Sequence, residues 1–233
     1  MSLPLTSAPV LIILALEHGT AFSAAAALGA MSGMAANAAF GVAYAYGARW
    51  GPIPGMLIAS PVFLLAGAAL QLMLDGEAWL VAVIVLTSIS LGLVLLPPRI
   101  AVRGAVRHPR WDIPARIVVA TALVFALTSV APALGPEVSG LLATYPVYAS
   151  VMTTFTHYVA GLPAATELVR GHLTGIYGTV AFFVVLIVML VPAGLAPAIV
   201  TAIVAALASQ AVAFRIAPGR RRRAVPQPAP RTA

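Results

Sequence analysis

The sequence predicts an all-α, polytopic membrane protein of about eight transmembrane helices, and three observations support this class. Hydrophobic residues make up 61% of the 233 residues, charged residues make up only 8%, and the mean hydropathy is +1.03. A soluble domain carries about a quarter charged residues, so a soluble globular protein is excluded. The apolar residues form continuous segments rather than an alternating pattern, which excludes an outer-membrane barrel.

Eight segments meet or approach the length of about 20 apolar residues that a helix needs to cross a bilayer. Because lipid offers no hydrogen bonds to the backbone, each segment must be a helix or a broken helix covered by protein. In chain order the predicted spans are 3–16, 21–46, 52–74, 78–96, 117–134, 141–161, 171–191 and 195–214.

The first segment is short and has two interpretations. Residues 3–16 are followed by the small residues of 21–24, a pattern that a cleaved signal peptide also shows. No basic residue precedes the segment, which argues against cleavage. We therefore expect residues 1–20 to contain a span, and the signal peptide is the alternative. Cleavage would leave seven helices in the same orientation.

The charged residues predict the orientation of the helices. All 13 basic residues are Arg, and with six acidic residues they give a net charge of +7. If the N-terminus is cytoplasmic, every Arg falls in a cytoplasmic segment, as the positive-inside rule expects for short loops. Both termini are then cytoplasmic. The Arg-bearing segments are 47–51, 97–116, 162–170 and 215–233, whereas Glu17, Asp75, Glu77 and Glu137 lie on the opposite side.

Four regions follow from these boundaries. Residues 1–96 and 117–214 are two membrane halves of four spans each, 97–116 is a cytoplasmic Arg-rich loop, and 215–233 is a tail expected to be disordered. The tail has four adjacent arginines that would contact anionic lipid headgroups at about 1 kcal/mol each. No folded reading surface accompanies them, so nucleic-acid binding is not expected. These arginines are Arg220, Arg221, Arg222 and Arg223.

An internal repeat relates the two ends of the chain. An offset of 142 aligns six residues of one helical face in spans two and seven, and an offset of 143 aligns residues 51–54 with 194–197. Spans 1–3 then correspond to spans 6–8, and spans four and five are additional. Five helices separate each pair, so the repeat is expected to be inverted, as in secondary transporters. The alternative is that small residues recur in any tightly packed membrane helix. The aligned residues are Gly29, Ser32, Gly33, Ala36, Asn37 and Phe40 with Gly171, Thr174, Gly175, Gly178, Thr179 and Phe182.

The sixth span is unusually polar and is the predicted functional site. Its hydroxyl and imidazole side chains recur at helical spacing, so they share one face. Polar groups at membrane depth are costly and suggest a pathway or binding site, although they can also join helices. A proline there would free the carbonyl of Leu142. The predicted pathway residues of this span are Tyr145, Pro146, Ser150, Thr153, Thr154 and His157.

Asn37 and the small-residue faces complete the candidate residues. Asn37 is the single amide of span two, and it either bonds across helices or lines the pathway. Small residues four positions apart let helix backbones approach closely, within the chain or between two copies of it. The residues predicted to pack in this way are Gly29, Gly33, Gly171, Gly175 and Gly178.

Enzyme chemistry is not predicted. The chain has no Cys, no zinc-protease or serine-hydrolase motif, and no nucleotide-binding loop. No predicted span holds carboxylates or histidines at metal-ligand spacing. We therefore expect no catalytic residue, no metal and no cofactor.

The second half resembles a known family. The run Gly140-Leu141-Leu142-Ala143-Thr144-Tyr145-Pro146-Val147, the polar helix ending near His157 and the segment 167–171 resemble the GlpM-like family of small bacterial integral membrane proteins. The resemblance covers residues 117–214 and implies a bacterial inner-membrane protein with about four spans per unit. It implies no substrate and no catalytic residue.

Two functions remain open from the sequence. The first is a small secondary transporter or a lipid or solute translocator, with a path between spans 1–3 and 6–8 where Asn37 faces the polar stripe. The second is a membrane scaffold or accessory subunit held together by the glycine faces. A polar, water-accessible cavity favours the first, and a dry interface favours the second.

Overall fold

A computed structural model describes residues 7–73, 78–100, 109–130, 142 and 144–216, and over these residues the protein is helical. Seven α-helices and one 3-10 turn follow one another in this part of the chain. They are α1 (Ser7–His18), α2 (Thr20–Gly47), the 3-10 turn (Ala48–Trp50), α3 (Pro52–Met73), α4 (Ala78–Leu95), α5 (Asp112–Val130), α6 (Val147–Ala193) and α7 (Leu195–Ile216).

Helices α2 to α7 are each long and apolar enough, by length and composition, to cross a membrane. Their outer faces expose large apolar side chains such as Leu65, Val94 and Phe125, each of which is more than two-thirds exposed. Such faces suit contact with the acyl chains of a bilayer. The prediction of an all-α, polytopic membrane protein is therefore confirmed. Helix α1, with 12 residues, is about 18 Å long and does not match the thickness of a bilayer.

The predicted sixth and seventh spans are two helical segments joined directly at Gly161, which we label together as α6, and the loop predicted at 162–170 is helical instead. The only non-helical backbone inside α6 is at Gly161, with φ 83° and ψ 171°. The charged side chains that suggested a loop, Glu167 and Arg170, have partners although they stand in a helix. Arg170 donates from Nη1 to the Leu93 carbonyl (3.2 Å) and from Nη2 to the Pro97 carbonyl (2.8 Å). Its Nε lies 3.4 Å from Glu167 Oε1, so these residues need no loop.

Gly161 divides α6 into a first segment, residues 147–160, and a second segment, residues 162–193. The first segment is about 21 Å long, which is shorter than the hydrocarbon core of a bilayer. It runs along α2 in the same direction, because Thr144 lies against Gly33 and Thr153 and His157 lie against Tyr44. The first segment therefore begins near the middle of α2 and ends near the end of α2.

Helix α5 begins five residues earlier than predicted. Asp112 and Arg116 are both buried and form an ion pair of 3.0 Å between Oδ1 and Nε, one turn apart on the helix. A charged pair that satisfies itself on one helical face can be accommodated in the first turn. The predicted Arg-rich loop is correspondingly shorter at its C-terminal end, and its residues 101–108 lie outside the described part.

The core lies between α2, the second segment of α6 and the helices packed on them, α3, α4 and α7. Its largest fully buried side chains include Phe40, Tyr44, Phe63, Phe182 and Phe183. Tyr46 donates its hydroxyl to the Leu95 carbonyl (2.9 Å), so α2 and α4 end at the same end of the bundle. Arg49, Arg99 and Arg170 lie at that end, which we call the arginine end.

The four described glycines with positive φ all stand at helix junctions. Gly19 joins α1 to α2, Gly51 precedes α3, Gly161 interrupts α6 and Gly194 joins α6 to α7. Each has φ between 80° and 124° and ψ between 163° and 175°. This backbone region is essentially confined to glycine. The junctions therefore depend on the absence of a side chain.

The glycines predicted to allow close helix packing differ in their surroundings. An added Cβ at Gly33 would overlap Thr144, and one at Gly178 would overlap the side chain of Gln210. At Gly29 and Gly171 it would meet nothing within 4 Å, so close packing within the chain does not explain these two positions. Gly175 contributes its carbonyl, which accepts a hydrogen bond of 2.6 Å from Gln210 Nε2.

Candidate functional site

A group of buried and partly buried polar side chains lies where the first segment of α6 meets the end of α2. We call Tyr44, Thr153, Thr154 and His157 the polar cluster. The Tyr44 hydroxyl lies 3.4 Å from the Thr153 carbonyl, to which it donates, and 3.3 Å from Nδ1 of His157. Their rings are arranged edge to face at 6.3 Å. The cluster thus links two helices close to the interruption at Gly161.

The hydroxyl of Thr153 is the least satisfied polar group of the cluster. Thr153 is 0% exposed, and its Oγ1 has no hydrogen-bond partner in the structure. Thr154 Oγ1 is also buried, and it lies beside the Tyr44 hydroxyl. A buried hydroxyl without a partner costs about 1–3 kcal/mol, so most such groups bind protein or an ordered molecule. The geometry leaves Thr153 Oγ1 available to such a molecule.

Ser150 and Pro146 belong to the start of α6 and are used locally. Pro146 is the residue before the helix rather than part of it, and its carbonyl accepts a hydrogen bond from Ser150 Oγ at 2.8 Å. The carbonyl of Leu142 accepts from the backbone N–H of Tyr145 at 3.1 Å. The expectation that Pro146 frees the Leu142 carbonyl is therefore wrong, because α6 begins after the proline and the Tyr145 N–H already pairs with that carbonyl.

Tyr145 connects the chain just before α6 to α3 and α2. Its hydroxyl is 2.7 Å from Ser60 Oγ and 3.5 Å from the sulfur of Met56. Its ring packs edge-on against Phe40 and Phe63, with centroids 6.1 Å and 5.4 Å away. A tyrosine buried among apolar rings is stabilised when its hydroxyl has a partner, as this one has. Tyr145 therefore joins the chain just before α6 to α2 and α3.

Asn37 does not face the polar stripe of α6 as the sequence suggested. Its Oδ1 lies 3.3 Å from Nε2 of His172, in the second segment of α6, and its Nδ2 donates to the Gly33 carbonyl at 3.4 Å. Asn37 precedes Tyr44 by two helical turns, so both point from the same face of α2. The contact differs because that face meets the second segment at Asn37 and the first segment at Tyr44.

His172 is the site residue that sequence reasoning missed. It stands inside the predicted seventh span, and a histidine at membrane depth was the available signal. Its partner could not be deduced from the sequence, because spacing along a helix does not show which residue of another helix lies opposite. Two histidines therefore contact α2 at two heights.

Charged groups near the site are paired. Arg116 of α5 contacts the sulfur of Met152 at 3.0 Å through Nη1 and stacks over Phe155 at 5.5 Å. Because Met152 and Phe155 flank Thr153 and Thr154 in sequence, α5 is fastened to the outer side of the first segment. In the part of the chain that the structure describes, no three His, Cys, Asp or Glu residues form a group that could hold a metal.

Apart from the polar cluster, an apolar crevice lies between α1 and the α6–α7 pair. Leu11, Phe182, Leu186 and Leu190 line it, together with Ser23. The Ser23 hydroxyl donates to the Leu11 carbonyl at 2.8 Å, so its polarity is satisfied within the wall. This crevice therefore offers no polar group to a ligand.

No family model matches the chain, and neither a curated protein nor a solved structure is similar to it. The similarity to the GlpM-like family accordingly remains a prediction. The arginines Arg220, Arg221, Arg222 and Arg223, predicted to contact lipid headgroups, lie outside the described residues.

Proposed function

We propose that the protein is a small secondary transporter whose path passes the polar cluster, between the helices α1 to α3 and the helices α6 and α7. The observation that carries the proposal is the fully buried Thr153 hydroxyl, which has no partner and stands four residues from the Tyr44–His157 contact. An interrupted helix that presents polar groups within the membrane is the usual form of a transporter binding site.

The interruptions support an internal repeat. Gly161 follows Gly19 by 142 residues and Gly194 follows Gly51 by 143, which are the two offsets of the sequence repeat. Each unit has the same order of elements: a short helix, a glycine, a long helix, a second glycine and a helix of 22 residues. The pair of Gly19 and Gly161 was not among the aligned residues that first suggested the repeat, whereas Gly51 and Gly194 were.

The contacts support the same correspondence. Thr153 lies against Tyr44, and Leu11 shares a crevice with Leu186. An offset of 142 relates Leu11 to Thr153 and Tyr44 to Leu186, so residues at corresponding positions of the two units lie near each other in both places. Helix α2 and the second segment of α6 run in opposite directions, since the end of α2 lies near Gly161. An inverted repeat of this kind favours a transporter.

The scaffold function has one observation in its favour. Tyr44, Tyr145 and Tyr177 each use their hydroxyls to join neighbouring helices, and Tyr177 lies 2.7 Å from Ser90 of α4. A rigid scaffold needs such bonds and no access for water. The two functions differ in whether water reaches Thr153.

Cysteine labelling separates the two functions, because the chain contains no Cys and one introduced thiol is the only target. In protein reconstituted into vesicles, a Thr153→Cys variant is treated with a small, water-soluble methanethiosulfonate reagent. We expect it to react at least about tenfold faster than Val85→Cys, because a working path must open to water. Val85 is also 0% exposed, and it lies in an apolar part of α4.

Equal inertness of Thr153→Cys and Val85→Cys, while a cysteine at the exposed Trp50 reacts, would contradict the transporter and favour the scaffold. Ser150→Cys and Asn37→Cys extend the test along the predicted path. Ser150 is bonded to Pro146, so we expect its reaction to be slower than that of Thr153→Cys.

A further inference from the structure

The two histidines that contact α2 lie at different depths from the arginine end. Tyr44, the partner of His157, stands three residues before the end of α2 at Gly47, about 5 Å along the helix axis. Asn37, the partner of His172, stands ten residues before that end, about 15 Å. The His172–Asn37 contact therefore lies about 10 Å farther from the arginine end than the His157–Tyr44 contact.

The carboxylates of the described residues are unavailable in the interior. Asp112 is bound to Arg116, Glu167 lies between Arg99 (3.6 Å) and Arg170 (3.4 Å), and Glu17 is exposed at the end of α1. A sodium site in a transporter usually draws on carboxylate or unwound carbonyl oxygens. Histidine is the remaining side chain in this part of the described structure that can bind and release a proton.

We propose that the transported coupling ion is the proton, bound in turn by His157 at Tyr44 and by His172 at Asn37; this inference rests on the proposed transporter function. Neither contact is lost when the proton binds. Tyr44 directs its single hydroxyl hydrogen to the Thr153 carbonyl, so its oxygen accepts from Nδ1–H of His157. Nε2 of His157 is then the nitrogen that takes the proton.

At the inner site the Asn37 carboxamide oxygen accepts from Nε2–H of His172, which leaves Nδ1 to take the proton. The Asn37 amide is held in this orientation by its own donation to the Gly33 carbonyl. A carbonyl oxygen also stabilises the charged imidazolium, since it continues to accept from Nε2–H. Both sites therefore bind a proton without a competing cation.

The groups around each histidine determine which interactions a charged imidazolium would make. His157 is faced by Tyr44 from α2 and by Thr153 and Thr154 on its own segment, all of them neutral. His172 is faced by Asn37 from α2. On its own element Glu167 and Arg170 precede it; Glu167 lies near Arg99, and Arg170 donates to carbonyls at and just after the end of α4. From α7, Gln210 bonds to the Gly175 carbonyl, and from α4, Ser90 bonds to Tyr177.

A charged histidine in this setting favours the state in which water reaches it, because an ion is much better solvated by water than by an apolar interior. Opening that is linked to the uptake of one proton changes by up to about tenfold per pH unit. We therefore expect the reaction of Thr153→Cys, divided by that of the exposed Trp50→Cys at the same pH, to rise as the pH falls from about 8 to about 5.5. The division corrects for the pH dependence of the thiol itself.

The pH dependence of this ratio should be lost in His157→Gln and reduced in His172→Gln, and kept in His18→Gln. His18 is the matched control, since its side chain is 54% exposed at the end of α1. A second measurement needs no change at either site. In a His18→Gln/His108→Gln background only the two interior histidines remain, and their 15N resonances should move from neutral to charged values over the same pH range.

The outcomes separate the two proposals. If Thr153→Cys reacts at a rate that does not change with pH, and the 15N resonances stay at neutral values, the proposal that the proton is the coupling ion is overturned. The proposed transporter function is then unaffected. If Thr153→Cys is inert at every pH, the proposed transporter function is overturned, and the proposal of proton coupling, which rests on it, is overturned too. If the pH dependence survives in His157→Gln and in His172→Gln, another group carries the proton and the assignment to these histidines is overturned.

Discussion

Whether a glycine in these helices is needed for close packing depends on the single side chain that lies opposite it. Gly33 and Gly178 each lie against a polar side chain of another part of the fold, Thr144 and Gln210, whereas Gly29 and Gly171 lie in open space. The sequence predicted all of these as one packing face, because spacing along a helix shows which residues share a face but not what lies opposite. Thr144 and Gln210 are contributed from distant positions, which spacing cannot reveal.

Alanine substitutions at these glycines should therefore separate into two groups. Gly33→Ala and Gly178→Ala should lower the free energy of unfolding by about 1–3 kcal/mol, because the added methyl overlaps a neighbour. Gly29→Ala and Gly171→Ala are matched controls that should be neutral or stabilise by up to about 1 kcal/mol, since alanine favours helix. Titrated unfolding in detergent measures all four. Equal effects in both groups would mean that the observed spacing does not hold in solution.

The helices themselves were largely predictable, and their interruptions were not. Hydrophobic runs located α2, α3, α4 and α7 to within a few residues. The charges of Glu167 and Arg170 suggested a loop, but Arg170 is paired with the carbonyls of Leu93, in α4, and of Pro97, just after it, which the sequence could not show. Of the polar stripe, Thr153, Thr154 and His157 come together with Tyr44, whereas Asn37 pairs with a histidine outside the stripe.

The interruption at Gly161 should be sensitive to any side chain. A Gly161→Ala variant should lose about 1–3 kcal/mol of stability, because its backbone lies in a region that alanine rarely adopts. Gly171→Ala, in the same element and with helical backbone, is the control. Unfolding in detergent measures the stability, and the reaction of Thr153→Cys in the same background measures the site. A stability unchanged by Gly161→Ala would contradict the interruption.

At the scale of the whole molecule, the arginines define one end of the bundle. Arg170 reaches the carbonyls at the end of α4, Arg99 lies by Glu167, and Arg49 stacks on Trp50 at 4.1 Å. Helix α2 and α4 end at the same place, so these residues gather on one side of the membrane. From the positive-inside rule we expect that side to be cytoplasmic.

Impermeant maleimide applied to intact cells tests this orientation. A cysteine at Ala193, at the far end of α6, should be labelled from outside, whereas one at Ile100, beside the arginine end, should be labelled only after the membrane is opened. The physical reason is that arginine-rich ends are retained in the cytoplasm during insertion. Labelling of both cysteines from the same side would overturn the orientation.

The short first segment of α6 also constrains how the protein enters the membrane. It begins beside the middle of α2 and turns at Gly161 directly into the second segment. Half a span inserted by itself would leave backbone groups in lipid without partners, which costs several kcal/mol for each group. Its proper place exists only after α2 has been inserted. The last third of the chain therefore has to be integrated as a hairpin, with the N-terminal helices acting as its template.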